Sequence, residues 1–214
     1  MTRLQLAVDL VPIDELQQVI VPLLPAIDIV EAGTPLIKRY GLAAVQALRA
    51  LAPTHQLVAD MKTMDAGGLE AEMAFGAGAD MMTVLGCASN ATISAAVDIA
   101  QRAGKDIVAD LIGVADKVAR ARELVELGVP YLGIHTGTDD QASGADPLAD
   151  LQAMRAAVAT KLVVAGGINE RTLPAILRQS PAIVIVGSGI LGQLKPVKAA
   201  TTLRTILDQN QAAQ

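Results

Sequence analysis

Gln56-Leu-Val-Ala-Asp60 is a short apolar run that ends on a carboxylate, and the arrangement recurs along the whole chain. Strands are expected at Leu4–Val8, Ala26–Val30, Gln56–Ala59, Met81–Leu85, Asp106–Ala109, Tyr131–Ile134, Leu162–Ala165 and Ile183–Val186. Each is a run of four or five mostly aliphatic residues, as parallel strands buried on both faces require. Segments with helical spacing separate them. Gly41–Ala52 sets Leu42, Val45, Leu48 and Leu51 three apart, and Ala115–Leu127 carries Val118, Ala121 and Val125 opposite a charged face. Pro12, Pro147 and Pro174 sit near helix starts, and Gly76, Gly78, Gly104 and Gly128 sit where helices should stop.

Eight strands alternating with helices allow a closed barrel or a doubly wound sheet. The residue that follows each run decides between them. In order these are Asp9, Glu31, Asp60, Gly86, Asp110, His135, Gly166 and Gly187. A barrel gathers all eight strand ends around one mouth, where the active sites of such barrels lie. A dinucleotide-binding sheet would gather only some, and would want G-x-G-x-x-G where this chain has Asp9-Leu-Val-Pro12. The expected fold is therefore α/β, a single (β/α)₈ TIM barrel over residues 1–214, with 210–214 a frayed tail.

Composition narrows the function. The 214 residues are 52% hydrophobic with one Phe, two Tyr and no Trp, so stacking platforms for nucleic acid are missing. The net charge of −5 and the lack of a basic run argue against a polyanionic partner. No uncharged apolar run reaches membrane-spanning length. Cys87 is the only cysteine, and the N-terminal apolar stretch between Arg3 and Asp9 is too short for a signal peptide. A cytoplasmic location is expected, with neither nucleic acid nor membrane as partner.

The chemistry-bearing residues cluster at strand ends. Val164-Ala-Gly-Gly-Ile168 and Val186-Gly-Ser-Gly-Ile190 close the last two strands, where barrels often hold phosphate. Glycine lets backbone amides approach the anion, so Gly166, Gly167, Gly187 and Ser188 are the candidate phosphate site. Glu31 and Asp60 end neighbouring strands, and two hard carboxylates at one mouth suit Mg²⁺. Asp60, Lys62 and Asp65 form D-x-K-x-x-D. Asp60 and Lys62, two apart, should share one side of an extended strand end. A lysine held by carboxylates keeps its proton, so it serves as a fixed cation and not as a Schiff-base nucleophile. His135 is placed to move protons near neutral pH. His55, before the third strand, lies at the opposite end and reads as ordinary surface. Asp9 is suited to orienting substrate hydroxyls or Lys62. Asp110 has no lysine two residues on and is compatible with a purely structural role. Cys87 has no matching histidine and is not expected to be a nucleophile.

Gln5-Leu-Ala-Val-Asp9, Ile29-Val-Glu-Ala-Gly-Thr-Pro-Leu-Ile37, Ala59-Asp-Met-Lys-Thr-Met-Asp-Ala-Gly67, Ala77-Gly-Ala-Asp80, Thr83-Val-Leu-Gly86, Asp110-Leu-Ile-Gly113, Ile134-His-Thr-Gly137 and Val164-Ala-Gly-Gly167 together carry a resemblance. The chain resembles the hexulose-phosphate synthase / keto-gulonate-phosphate decarboxylase family of the orotidine-5′-phosphate-decarboxylase-like superfamily. The likeness covers most of the chain. It implies an aldol addition of formaldehyde to D-ribulose 5-phosphate, giving D-arabino-hex-3-ulose 6-phosphate. By the same resemblance, Glu31 and Asp60 would hold Mg²⁺, Lys62 would meet the enediolate oxygens, His135 would move the C1 proton, and Gly167, Gly187 and Ser188 would hold the phosphate. It further implies a homodimer with shared active sites, the residue at Asp65 reaching across.

The decarboxylase branch typically carries His-Arg-x-Arg after the sixth strand and arginine after the eighth-strand glycine. This chain has His135-Thr-Gly-Thr138 and Ser188, which favours the synthase. The decarboxylase, a pentose-phosphate isomerase or epimerase, and a non-catalytic sugar-phosphate-binding barrel stand as alternatives.

Overall fold

The computed structural model describes residues 1–142 and 147–212. Eight parallel strands close into a barrel in chain order: β1 (Arg3–Val8), β2 (Ile29–Ala32), β3 (Gln56–Thr63), β4 (Met81–Leu85), β5 (Asp106–Asp110), β6 (Tyr131–His135), β7 (Lys161–Ala165) and β8 (Ile183–Val186), with β8 pairing back to β1. The helices are α1 (Leu16–Ile20), α2 (Thr34–Tyr40), α3 (Ala43–Leu51), α4 (Gly67–Gly76), α5 (Asn90–Ala103), α6 (Lys117–Glu126), α7 (Thr138–Ala142), α8 (Leu148–Ala157), α9 (Leu173–Leu177), α10 (Ser188–Leu191) and α11 (Pro196–Ala212). The (β/α)₈ reading of the sequence holds. None of the helices among the described residues is long and apolar enough to cross a membrane.

The period of two along each strand separates two environments. Leu4, Val30, Ala59, Met82, Ile107, Leu132, Leu162 and Val184 belong to the core shared with the helices. Their neighbours Ile29, Val58, Met81, Val108, Tyr131, Val163 and Ile183 fill the barrel's interior as a separate apolar layer. Two residues further along the same strands come Glu31, Asp60, Thr83 and Asp110, all buried. The alternation that plugs the barrel thus also aims the polar groups toward its C-terminal mouth.

Several boundaries differ from the sequence reading, each for a local reason. The second strand begins at Ile29 and not at Ala26, because Pro22 and Pro25 lie in a 3₁₀ segment over Val21–Ala26. Glu31 therefore lies inside β2. The third strand runs on to Thr63, through a register shift against β4 between Ala59 and Thr63. A helix over Thr34–Tyr40 precedes the expected one, and Gly41 at φ +62 breaks the two apart. At the C-terminus, Asn210–Ala212 are not frayed: α11 continues to Ala212, and Gln211 donates to the Thr2 carbonyl at 2.7 Å. Ala213 and Gln214 lie outside the described residues. His55 does sit at the end of the barrel opposite the mouth, but it is not plain surface. It is half-buried, with Nε2 3.2 Å from the Leu24 carbonyl oxygen and a buried Nδ1 that has no partner among the described residues.

Close packing of α4 on α5 depends on one missing methyl. A Cβ on Gly67 would collide with the Thr92 carbonyl of α5, whereas one on Gly68 would meet Ala95 Cβ at an ordinary 3.6 Å. Gly67→Ala should therefore cost about 1–3 kcal/mol in a urea melt. Gly68→Ala should be neutral or stabilise by up to about 1 kcal/mol through helix propensity. Equal effects of the two would contradict the packing argument.

Candidate active site

Lys62 is the centre of the mouth. Its ammonium lies 2.9 and 3.1 Å from the two carboxylate oxygens of Asp60 and 3.0 Å from Asp110 Oδ2. Asp110 Oδ2 also lies 2.9 Å from His135 Nδ1. One continuous chain of polar contacts, Asp60–Lys62–Asp110–His135, therefore spans β3, β5 and β6. Lys62 and Asp60 were expected to share a side because of regular strand alternation. Lys62 in fact has φ +46 and lies within the irregular end of β3, its amide donating to Thr83 Oγ1 at 2.9 Å. The left-handed kink, not the pleat, returns the side chain to Asp60. Such a conformation is costly for a lysine and persists only where surroundings enforce it.

Burial opposes the charge on Lys62, but Asp60 and Asp110 more than offset it and hold the ammonium well above the ordinary lysine range. Lys62 is thus a permanent cation. Asp110 is almost wholly buried, which alone would favour its neutral form. Its bond to His135, the charges of His135 and Lys62, and the Ile112 amide at 2.9 Å hold it below the usual carboxylate range. Asp110 is therefore no bystander, as the missing lysine two residues on had allowed. It links the fixed cation to the histidine ring.

Asp60 is fully engaged. Thr83 Oγ1 donates to Oδ1 at 2.7 Å and Thr34 Oγ1 to Oδ2 at 2.6 Å, besides the two contacts from Lys62. Thr34 and Thr83 were not singled out from the sequence. Thr34 lies in the first turn of α2 and Thr83 occupies the interior position of β4 level with the acids. Glu31 accepts from Gln5 Nε2 at 2.7 Å. Burial first, then the charges of Asp60 and Asp9, push Glu31 up to about 8, against the Gln5 bond and Lys62. Asp9 is raised as well, by burial and Asp60, with Lys62 and His135 opposing. It lies between Gly33 and Gly187: a Cβ on Gly33 would strike Asp9 Oδ1, and one on Gly187 would come 3.5 Å from Oδ2.

A carboxyl that resists ionisation beside another carboxylate is a place where a cation would be welcome. Among the described residues no group of three or more His, Cys, Asp or Glu forms a metal cage. Glu31 and Asp60 instead form a pair, and Mg²⁺ commonly takes one or two carboxylates, leaving its other positions to water and substrate.

Gly166 and Gly167 leave β7 at φ +109 and +64, and Gly187 and Ser188 lead from β8 into α10. A Cβ on Gly166 would fall 2.5 Å from the Thr136 carbonyl, and one on Gly189 would collide with the Ile168 carbonyl. The β6, β7 and β8 loops therefore touch backbone to backbone, and Gly167 and Ser188 remain exposed on them. Asp65 stands apart. It is exposed between β3 and α4 and accepts from its neighbouring amide Ala66 at 2.7 Å, with no bond to Asp60, Lys62, Asp110 or His135 among the described residues.

Asp110 stays ionised in the folded chain to lower pH than in the unfolded one. Its contribution to stability is then complete above its ordinary value of 3.8 and disappears as pH falls through the lowered folded value. Asp110→Asn should be less stable than the parent at pH 5, and the gap should narrow below pH 4. A gap independent of pH in urea melts would contradict the assignment.

The Orotidine 5′-phosphate decarboxylase / HUMPS family model matches residues 2–203. A 3-hexulose-6-phosphate synthase from Bacillus subtilis is 41% identical over 208 residues, covering 97% of this chain and 99% of the relative. The crystal structure of 3-hexulose-6-phosphate synthase from Salmonella typhimurium superposes with a TM-score of 0.95 at 38% identity, over 97% of this chain and 99% of that one. The 3-keto-L-gulonate-6-phosphate decarboxylase from Vibrio cholerae follows with a TM-score of 0.86 at 29% identity, over 97% and 98%. The barrel with its charged mouth belongs to the Orotidine 5′-phosphate decarboxylase / HUMPS family.

Proposed function

We propose that the protein is a Mg²⁺-dependent aldehyde-lyase that adds formaldehyde to D-ribulose 5-phosphate, forming D-arabino-hex-3-ulose 6-phosphate, and runs the reverse reaction. The observation that carries this reading is the Asp60–Lys62–Asp110–His135 chain, which couples a fixed cation to a potential proton carrier. The names of the relatives at about 40% identity support it.

The chemistry begins at C1 of the sugar, beside the ketone. His135 Nε2 takes a C1 proton while Nδ1 stays on Asp110, which fixes the ring's direction. General-base catalysis of this kind contributes roughly 10²–10⁴-fold. The electron pair left behind delocalises onto the ketone oxygen as an enediolate, and Lys62 supplies positive charge there without reorganising. Glu31 and Asp60 would hold the metal, Asp60 giving up one of its present contacts to Lys62, Thr34 or Thr83 to do so. When bound, Mg²⁺ supplies Lewis-acid stabilisation worth several kcal/mol. C1 then attacks the formaldehyde carbon, forming one C–C bond as the C=O π bond breaks, and the alkoxide becomes a hydroxyl by taking back the proton held on His135 Nε2. Asp9 orients hydroxyls at the mouth. Gly166, Gly167, Gly187 and Ser188 hold the phosphate as a remote handle whose binding energy positions C1.

The active form in this reading is a cytoplasmic homodimer with shared sites. Met64, Leu69 and Met73 expose 55, 61 and 47% of their surface beside Asp65, and Leu69 and Met73 are four apart on α4. A partner covering them would bring Asp65 of each subunit to the other's mouth. Leu69→Glu should then yield monomers by light scattering, with activity lost in parallel. A monomeric parent protein, or full activity in a monomeric variant, would overturn the shared site.

The decarboxylase activity is the second reading, favoured by the 29% identity to the Vibrio cholerae enzyme. His135-Thr-Gly-Thr138 and Ser188 weigh against it, since that branch places arginines at these positions. The test is formaldehyde consumption. Loss of formaldehyde should require both ribulose 5-phosphate and Mg²⁺, stop with EDTA, and fall roughly 10²–10⁴-fold in kcat for His135→Asn with a smaller change in KM. No consumption by folded protein, with CO₂ released from 3-keto-L-gulonate 6-phosphate instead, would replace the first reading by the second.

A further inference from the structure

The end of the barrel opposite the mouth has its own charged floor. One position before the interior apolar layer, in steps of two, stand Arg3 on β1, Gln56 two before Val58, and Lys161 two before Val163. Arg3, Tyr131 and Lys161 line a recess of about 460 Å³ together with Arg155, Thr160 and Ser180. That volume falls in the range of small-molecule sites.

Its charge is unlike the rest of the chain. Acids outnumber bases 22 to 17, and Arg49, Lys62, Lys105, Lys117, Arg120 and Arg204 each pair with a carboxylate. Arg3, Arg155 and Lys161 pair with none among the described residues, and no carboxylate lines the recess. Asp106, which begins β5 at the same end, forms no ion pair with them. Arg3 Nη1 donates to the neutral Gln56 Oε1, and Arg3 Nη2 and Lys161 Nζ converge on a second neutral atom, the Tyr131 hydroxyl oxygen, at 3.2 and 3.3 Å. Tyr131 is only 5% exposed. Having accepted from two cations, it keeps its own O–H to give. Lys161 is further held 4.6 Å from the ring centre, and Arg155 is fixed by the carbonyls of Gln179 and Ser180 at 3.0 and 2.6 Å. Two positive groups drawn to one phenol repel each other, and an anion is the partner that would offset this.

We propose that this floor binds a small multivalent oxyanion, of the diphosphate class, through Lys161, Arg3, Arg155 and the Tyr131 hydroxyl. The site is separate from the phosphate loops at the mouth and does not rest on the aldol reading. An anion there would tie together β1, β6, β7 and the segment leading into β8, and would raise stability by mass action.

The test is a calorimetric titration of the metal-free full chain with inorganic pyrophosphate, ionic strength held constant with chloride. Lys161 is exposed, so Lys161→Gln is expected to fold, and its unliganded melting temperature checks this. Binding should weaken at least about tenfold (about 1.4 kcal/mol) in Lys161→Gln, with the catalytic rate unchanged. It should persist in Ser188→Glu, which repels anions from the mouth alone. Unweakened binding in Lys161→Gln, loss of binding in Ser188→Glu, or no binding by the parent protein would each overturn the floor site. Failure of the aldol assay with the pyrophosphate pattern intact would leave it standing.

Discussion

The ammonium of Lys62, held between Asp60 and Asp110, is the interaction on which the mouth depends. Two buried carboxylates without that cation would stand unpaired near buried Glu31, and such charges are costly unless paired. With it, Asp110 can remain ionised and still offer Oδ2 to His135. The lysine is therefore both a structural counter-ion and a preset positive charge for chemistry. Its cost is visible locally, in a left-handed backbone at a residue that has a Cβ and a long side chain.

The barrel makes this arrangement inexpensive elsewhere. Alternation along each strand commits one side chain in two to the helix layer and the other to the interior. The interior residues Ile29, Val58, Met81 and Val108 form an apolar plug, and the polar groups two steps later rest on it. The acids are thereby desolvated from below and open only toward the mouth. That is the physical origin of the raised Glu31 and Asp9, and the reason a hard cation with water or substrate oxygens suits them. The same alternation, followed downward, lays Arg3 and Lys161 on the floor.

Much of this was legible in the sequence, because it follows from periodicity. The eight apolar runs and the polar residue or glycine after each gave the closed barrel, and Asp9, Glu31, Asp60, Lys62 and His135 all lie at its mouth. What was not legible depends on local backbone or on contacts between distant strands. Pro22 and Pro25 displaced the start of β2 through a 3₁₀ segment that apolar content alone does not reveal. The kink at Lys62 has no glycine to announce it. Asp110 was undervalued because its partners, Lys62 and His135, are 48 and 25 residues away. The repeat of Val-Ala-Asp at 58–60 and 108–110 was the available signal: equivalent strands put the two acids at one level, on either side of the lysine. Thr34 and Thr83 carried no such mark.

The central claim is that His135, oriented by Asp110, removes a C1 proton next to a carbonyl whose developing charge Lys62 faces. The most direct measurement is proton NMR of ribulose 5-phosphate alone with the enzyme and Mg²⁺ in D₂O, without formaldehyde. One C1 hydrogen should exchange for deuterium with the sugar otherwise intact, and His135→Asn should abolish the exchange. A sugar that keeps both C1 hydrogens in the presence of folded, metal-supplied enzyme would contradict the account.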